Sequence, residues 1–428
     1  MIQEIKVTNF LSFKDTCILN FDASKDTFAQ DTQVVEVNKQ VRLLRCAIIY
    51  GYNASGKSNL LKIFDYLDYF WNHKTDDIDE GTKVSPFKLD RDSRNTPTKF
   101  EIFFYVDKTK YSYVLELNEK EVLMEKLSYY KSTQPIMLFE RTNDEGTSII
   151  NFNNTNPFAD KINNTVKENI ASKCLRNISF FVARNQVNAK MPLIDKAKDW
   201  MRNNIMPVIY PNTSLTSYAK RQSQNIDFNE YILKFLKEAD FNVTDISTDI
   251  VEKRLNEDSL QFLLNDYFIP DNEKDRLKKE KNIKQLMTYF QHTVENNNGT
   301  ENYNFLGKEE SLGTLRVFGL EAALFQVMKK QGFLPIDEIE TSLHPRLLEK
   351  ILYEYLKEDA KSQILIATHE DGLLDLTDDL IRKDSVWFAE KGKNGATEIY
   401  KLTDFRGLNR LSSIREAYRN KRFGATMK

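Results

Sequence analysis

Cys46-Ala47-Ile48-Ile49-Tyr50-Gly51-Tyr52-Asn53-Ala54-Ser55-Gly56-Lys57-Ser58-Asn59-Leu60-Leu61-Lys62-Ile63-Phe64 is the stretch from which the rest of the 428-residue chain can be read. Its apolar opening predicts a buried strand, and the octet Gly51 to Ser58 fits the spacing G-x-x-x-x-G-K-[ST]. From Asn59 to about Asn72 the apolar spacing is helical. Each residue type has a chemical reason. Glycines let the backbone curl so that successive N–H groups face a phosphate, and the helix behind adds its positive end. In such a loop Lys57 reaches the β- and γ-phosphates of a nucleotide, and the Ser58 hydroxyl sits on Mg²⁺. A plain Gly/Ser turn is the simpler reading, but a chance match in a chain this long is roughly one in a hundred.

Composition sets bounds. Hydrophobic residues make up 41%, charged residues 29%, and the net charge is −2, a globular balance with room for two or three structural units. That charge argues against a surface built throughout to hold nucleic acid, although it allows a local basic groove. Cys17, Cys46 and Cys174 have no close pairing, which suggests neither a disulfide framework nor a zinc site. No apolar run approaches the ~20 residues that span a bilayer. The N-terminal stretch lacks the charged-then-apolar layout of a leader. A cytoplasmic protein with no membrane partner is expected.

Upstream of the loop, residues 1–22 read as strands, 23–40 as a polar loop, and 41–50 as one buried strand. Downstream, 100–106 and 110–117 around Asp107-Lys108-Thr109 predict a β-hairpin, continued by 122–130 and 136–140. From 153 to 301 Asn and Lys become frequent. Helical spacing appears there in Trp200-Met201-Ile205, Tyr231-Ile232-Phe235-Leu236 and Leu260-Phe262-Leu263. The mixed-charge run 274–281 reads as a solvated helix face, with a nucleic-acid or partner contact as the alternative. Asn296-Asn297-Asn298-Gly299 reads as a turn. Neither internal repeats nor sustained heptads are present, so no long coiled-coil arm is expected.

The last part of the chain carries the remaining motifs. Gly332 to Glu338 is an apolar strand ending in two acids. In the Walker B pattern Asp337 would hold Mg²⁺ through water, while Glu338 would orient and deprotonate the attacking water. Alone, such a pair is equally a helix N-cap or a solvated turn. Pro335 removes a ladder donor, so a bulge or an unpaired position is expected there. Ser311-Leu312-Gly313-Thr314, ahead of an amphipathic helix over 317–328, is a second anion-binding geometry; by itself it reads as an N-cap by Ser311 or Thr314. The strand 362–369 ends on His369, in isolation a structural imidazole. His344-Pro345 reads as a helix-start device, and His73 and His292 show no partner in the sequence. Residues 386–389 and 397–402 predict a closing hairpin, followed by a basic helix over 409–421. Nothing in the spacing suggests zinc ligands or a Ser/His/Asp triad.

Taken together, Ile5-Lys6-Val7-Thr8-Asn9-Phe10-Leu11-Ser12-Phe13, the loop from Gly51 to Asn59, Ser311-Leu312-Gly313-Thr314, Asp337-Glu338-Ile339-Glu340-Thr341-Ser342-Leu343-His344-Pro345 and Ala367-Thr368-His369 resemble the ATP-binding-cassette (ABC) ATPases of the SMC, RecF and overcoming-lysogenisation-defect type. Pro86-Phe87-Lys88-Leu89, Ala239-Asp240-Phe241 and Arg422-Phe423-Gly424-Ala425 are similar to the stand-alone AAA-type ATPases of bacterial phage-defence loci, of the AriA and RloA kind. The resemblance spans nearly the whole chain, weakly through 140–300. It implies an α/β P-loop NTPase of ABC/SMC-head type, a mixed sheet with an antiparallel β-subdomain and a helical insertion. The implied division is 1–152 and 302–428 as the two parts of the ATPase lobe, with 153–301 inserted.

The same resemblance implies ATP and Mg²⁺ as ligands. The binding residues would be Gly51, Tyr52, Asn53, Ala54, Ser55, Gly56, Lys57, Ser58 and Asn59, with Ser58 and Asp337 at the metal. Glu338 and His369 would be catalytic in a slow hydrolysis of ATP to ADP and phosphate. A homodimer or higher oligomer is implied as well. Ser311 and Gly313 of one copy would contact the γ-phosphate held by Lys57 of the other, and His369 would contact it as a switch. Thr314 stands where a transporter-type signature has its second glycine, and no Leu precedes Ser311, which fits the SMC-like branch. The Q-loop glutamine has only Gln186 as a candidate.

Three functions fit these observations. One is an ATP-driven dimerising switch or sensor-scaffold in anti-phage defence, controlling a separate effector such as a TOPRIM-type nuclease or a toxin. The second is a RecF-like DNA-repair ATPase that binds nucleic acid through 274–284 and the basic C-terminal helix. The third is a scaffold that binds ATP, turns over very slowly and holds a partner.

Overall fold

The computed structural model describes residues 1–426 except 240, 258–259, 262–263, 265–270 and 298. The expectations for Asp240, Phe262, Leu263 and Asn298 therefore lie outside the described residues. Two compact units form, Met1–Asn212 with Gln326–Lys428, and Thr213–Phe325.

In the first unit, β1 (Ile2–Thr8) buries Ile2, Ile5 and Val7 and pairs antiparallel with β2 (Cys17–Asn20). The polar stretch that follows is not all loop. Gln30–Gln33 is a helical turn, and β3 (Val34–Asn38) pairs with β4 (Val41–Leu44). The single strand expected over 41–50 is two, β4 and β5 (Cys46–Tyr50), jointed at Arg45. The Arg45 guanidinium is buried and donates to the carbonyls of Thr32, Tyr355, Leu356 and Glu358 at 2.7, 3.0, 3.0 and 2.6 Å. Strands β6 (Thr98–Val106), β7 (Thr109–Leu117), β8 (Val122–Tyr130), β9 (Pro135–Asp144) and β10 (Thr147–Phe152) follow as antiparallel hairpins. With β1 and β2 they make a seven-stranded sheet ordered β10-β9-β8-β7-β6-β1-β2. Asp107 takes φ 54° at the first hairpin turn, a left-handed conformation that Asp tolerates better than most residues.

Where helices are expected through 153–301, the structure has helices only in part. The helices Asn164–Lys173, Phe180–Arg184 and Pro192–Asn204 group with the first unit. The second unit holds Thr216–Gln222, Ile226–Glu238 and Asp271–Glu280, together with a three-stranded antiparallel sheet of β11 (Val243–Arg254), β12 (Asn282–Asn296) and β13 (Gly299–Leu306). Long polar strands such as β11, exposed beyond its first residues, give no clean apolar rhythm, so the helical composition around them dominates a reading of the sequence. The charged helix Asp271–Glu280 is a solvated face, with Arg276–Glu280 and Lys278–Asp275 pairs at 3.8 and 3.6 Å.

The helix after the Ser-Leu-Gly-Thr segment begins earlier than expected, at Leu312, and runs to Lys330. It is not amphipathic in the expected sense: Val317, Phe318, Leu320, Ala322, Ala323, Leu324, Phe325 and Val327 are all buried. In the second unit Phe318 packs on Phe228 and Phe290, with centroids at 6.0 and 5.3 Å.

Back in the first unit, β14 (Phe333–Asp337), β15 (Gln363–Thr368), β16 (Val386–Lys391) and β17 (Thr397–Lys401) join β5 in a sheet ordered β14-β15-β5-β16-β17. The first four strands in that order are parallel, and β17 runs antiparallel to β16. Every residue of β5, β14 and β15 is buried, the continuous apolar pattern of a parallel sheet covered on both faces. Pro335 causes no bulge: β14 pairs with β15 in unbroken register. The strand is at the sheet's edge, and Pro335 turns its donorless nitrogen away from β15, toward the 206–209 segment, whose Ile209 N–H binds the Pro335 carbonyl at 3.0 Å. Instead of a helix over 409–421, the chain forms a short turn at Leu408–Arg410 and a helix at Ile414–Arg419. One hydrophobic core joins the seven-stranded sheet, the Lys57–Asn72 helix and β5, β15 and β16, including a Phe64–Phe333 contact at 4.6 Å. Among the described residues no helix is long and apolar enough to cross a membrane.

Candidate functional site

The parallel strands carry the chemistry at their C-terminal ends, where an open α/β sheet presents its loops. Beyond Tyr50 the chain turns through Gly51 to Gly56 and enters the helix Lys57–Asn72. Gly56, the N-cap, has φ 109°, and a Cβ there would lie 2.1 Å from Thr397 Oγ1. No side chain caps this helix, so the N–H groups of its first turn have no acceptor within it. Asn53 and Ala54 are exposed, Ala54 with φ 64°, and the Tyr52 hydroxyl donates to the Lys391 carbonyl at 3.2 Å. The curled backbone and a glycine with no room for a side chain against Thr397 are the features that a phosphate cradle requires.

Lys57 is buried, its Nζ donating to the carbonyls of Gly51 and Tyr52 at 2.7 and 3.3 Å. Burial lowers its pKa to about 8, against the opposing pull of Asp337, Glu340 and Glu338. The His369 ring lies 3.2 Å from the same Nζ. Burial, then the neighbouring Lys57, lowers the imidazole below its ordinary value, so the 3.8 Å approach of His369 Nε2 to Glu338 Oε1 is that of a neutral ring to a carboxylate. Lys57, His369 and Glu338, far apart in sequence, are thus brought together.

Asp337 ends β14 buried, and its Oδ1 has no hydrogen-bond partner. A shielded, unsatisfied carboxylate oxygen beside a lysine and a phosphate-type turn fits a hard cation held through water. Glu338 follows with φ 45°, a strained conformation for a non-glycine residue, pinned by its N–H bond to the Ala367 carbonyl at 2.9 Å. Ser58 and Asn59 lie half-buried in the first turn of the helix.

Two residues that the sequence reading passed over hold this arrangement. Glu340 accepts from the Thr368 hydroxyl at 2.8 Å and from the His369 N–H at 2.7 Å, fixing the histidine's backbone. Its position three residues after Asp337 was the available signal. Thr397 Oγ1 lies 2.8 Å from the Ser55 carbonyl and 2.9 Å from Ser12 Oγ, bracing the loop from β17. No local pattern marks Thr397.

The remaining expectations fall out variously. Ser311 caps its helix, its Oγ accepting from the Thr314 N–H at 3.0 Å; Gly313 and Thr314 belong to the first helical turn. His344 caps the helix Pro345–Lys357, accepting from the Arg346 N–H. His73 and His292, partnerless in sequence, face Glu80 at 3.0 Å and Glu310 at 2.7 Å. Gln186 is bonded through its backbone to Lys173 and Ala183, and no hydrogen bond ties it to the Gly51–Gly56 turn. The three cysteines are free and buried, which raises the thiols of Cys17 and Cys46 to about 12.

Residues 46–375, more than three quarters of the chain, match the protein family described as "AAA domain, putative AbiEii toxin, Type IV TA system". Among solved structures the chain is similar to the SMC head domain from Thermotoga maritima, with 13% identity, 94% of this chain and 98% of that chain covered, and a TM-score of 0.40. It is also similar to an SmcHead bound to the C-winged helix domain of ScpA, with 12% identity, 98% and 99% covered, and a TM-score of 0.43. A comparison with curated proteins finds no match.

Proposed function

The chain belongs to this AAA family, and from that premise we propose that it is an ATP-binding and ATP-hydrolysing switch that dimerises through its nucleotide sites. The observation that carries the reading is the convergence of Lys57 Nζ, the His369 ring and Glu338, next in sequence to the buried Asp337 with its unpaired Oδ1. The turn 51–56 and Lys57 would bind the phosphates of ATP. Ser58 and Asp337 would hold Mg²⁺, which when bound offsets charge on the β- and γ-phosphate oxygens. Glu338, held at the strand end by its backbone, would orient a water and take its proton. His369, fixed by Glu340, would sense the γ-phosphate. Ser311 and Gly313 of a second copy would close over that phosphate, so ATP favours the closed pair by contacts that ADP lacks.

The words of the family description, "AAA domain, putative AbiEii toxin, Type IV TA system", name the domain itself as the putative toxin and support a setting in bacterial anti-phage defence. There the switch would control a separate effector, a TOPRIM-type nuclease or a toxin. The DNA-repair reading has less behind it, since Arg276 and Lys278 are paired with acids on their own helix. Substituting Glu338→Gln tests the proposal. Hydrolysis should fall about 10²–10⁴-fold, while ATP still binds and the protein accumulates as an ATP-dependent dimer in sedimentation. Unchanged hydrolysis would remove Glu338 from the mechanism; a protein monomeric at saturating ATP would remove the switch.

A further inference from the structure

Among the described residues five arginines are almost wholly buried: Arg45, Arg141, Arg184, Arg316 and Arg382. Four of them are anchored by carbonyls or carboxylates, although Nε of Arg45 and of Arg184 is left without a partner. Arg45 has its four carbonyls. Arg141 pairs with Glu125 at 3.2 Å and donates to the carbonyls of Leu175 and Ile178. Arg184 donates to Val187, Ala189 and Asp195 at 2.7, 2.6 and 2.8 Å. Arg382 holds Asp384 in a bidentate pair at 2.9 and 2.8 Å.

Arg316 has nothing. It is 8% exposed, its Nε and Nη2 are shut away from solvent without a hydrogen-bond partner, and no ion pair reaches it among the described residues. A buried cation without a counter-charge is among the costliest arrangements a fold can carry. Desolvation alone pulls its pKa below the ordinary arginine value.

Its place in the chain says what is missing. Arg316 stands in the second turn of the Leu312–Lys330 helix, whose Ser311 cap satisfies the Thr314 N–H and leaves those of Leu312 and Gly313 without an intrahelical acceptor. Long helical side chains lean toward the N-terminus, the direction in which the Leu312–Gly313 turn lies from Arg316. Leu312 is 77% exposed, so this turn is open at the surface. A carboxylate would be used up by the guanidinium fork. A phosphate has further oxygens for the two backbone donors and matches the fork as well.

We propose that Arg316 binds the terminal phosphate of a nucleoside triphosphate held on the Lys57 loop of a second copy of this chain, acting with the N–H groups of Leu312 and Gly313. This rests on the shared-site reading above and adds to it the charge that distinguishes ATP from ADP. Full-length Arg316→Met protein should need about 10- to 100-fold more ATP for half-maximal dimerisation. Its ADP affinity should be unchanged, and its melting temperature should be no lower than the native protein's. Arg316→Lys should recover part of the ATP response. Mixing Lys57→Ala with Arg316→Met protein should restore hydrolysis toward half the native rate, because one of the two sites then has both an intact loop and an intact arginine. Mixing Lys57→Ala with Gly313→Asp is the control. Recovery in the control but not in the Arg316→Met mixture overturns the assignment of Arg316 alone, whereas recovery in neither overturns the shared site itself. A lower melting temperature with an unaltered ATP requirement would make Arg316 a structural residue and end the proposal.

Discussion

The Lys57 loop and the Ser311 turn are both anion-binding geometries at helix N-termini, finished to different degrees. Around the loop the charged and supporting side chains mostly have partners in their own chain. Lys57 rests on the carbonyls of Gly51 and Tyr52, Glu340 ties down Thr368 and His369, and Thr397 braces Ser55. The exceptions are Ser55 Oγ, within the loop, and Asp337 Oδ1, where a cation is expected. At the Ser311 turn the cap is made and Glu310 is held by His292, but Arg316 is left buried and bare. A site that takes its ligand from solution can satisfy its own groups while it waits. A surface that meets a ligand already held elsewhere cannot, because its missing partner arrives with another molecule.

The contrast can be broken in several ways. Lys57→Ala has the largest expected effect: a loss of about a hundredfold in ATP affinity by calorimetry and of at least about a thousandfold in hydrolysis. Normal ATP uptake by that variant would deny the loop its role and leave nothing to compare. Next comes stability. Glu125→Ala strands Arg141 in the core and should cost about 3–5 kcal/mol in denaturant unfolding, whereas Arg316→Met should cost nothing measurable. Equal losses would mean that Arg316 is as well partnered as Arg141. Glu340→Gln should slow turnover about tenfold through a misplaced His369, with ATP affinity within a factor of two; a collapse of affinity instead would make Glu340 part of the cradle. Ser311→Ala, which removes only the cap, should lower stability by about 1 kcal/mol.

Legibility followed the range of the interactions. The strand–loop–helix unit around Lys57 could be read because residues adjacent in sequence are adjacent in the site, and the all-buried β5 announces a parallel sheet. The hairpin of β6 and β7 was equally plain, its alternation and two-residue turn being local. The strands β11 to β13 were missed because a sheet with much of its surface in water carries no strong period. The break at Arg45 was missed for a different reason: the carbonyls that hold it come from residues 32 and 355–358, and no local pattern encodes them. Pro335 misled because the sequence does not say which strand lies at an edge.

By itself, then, the sequence determined the chemistry available: a lysine behind a glycine turn, two acids behind an apolar strand, a histidine closing another. Backbone geometry and hydrophobic period are written within a few residues of each. Only the tertiary structure decided that Lys57, Glu338 and His369 stand within hydrogen-bonding reach or close to it, that Thr397 and Glu340 support them, and that Arg316 has no counter-charge among the described residues. Those facts depend on strand order and on what burial excludes, and both arise from contacts between residues hundreds of positions apart.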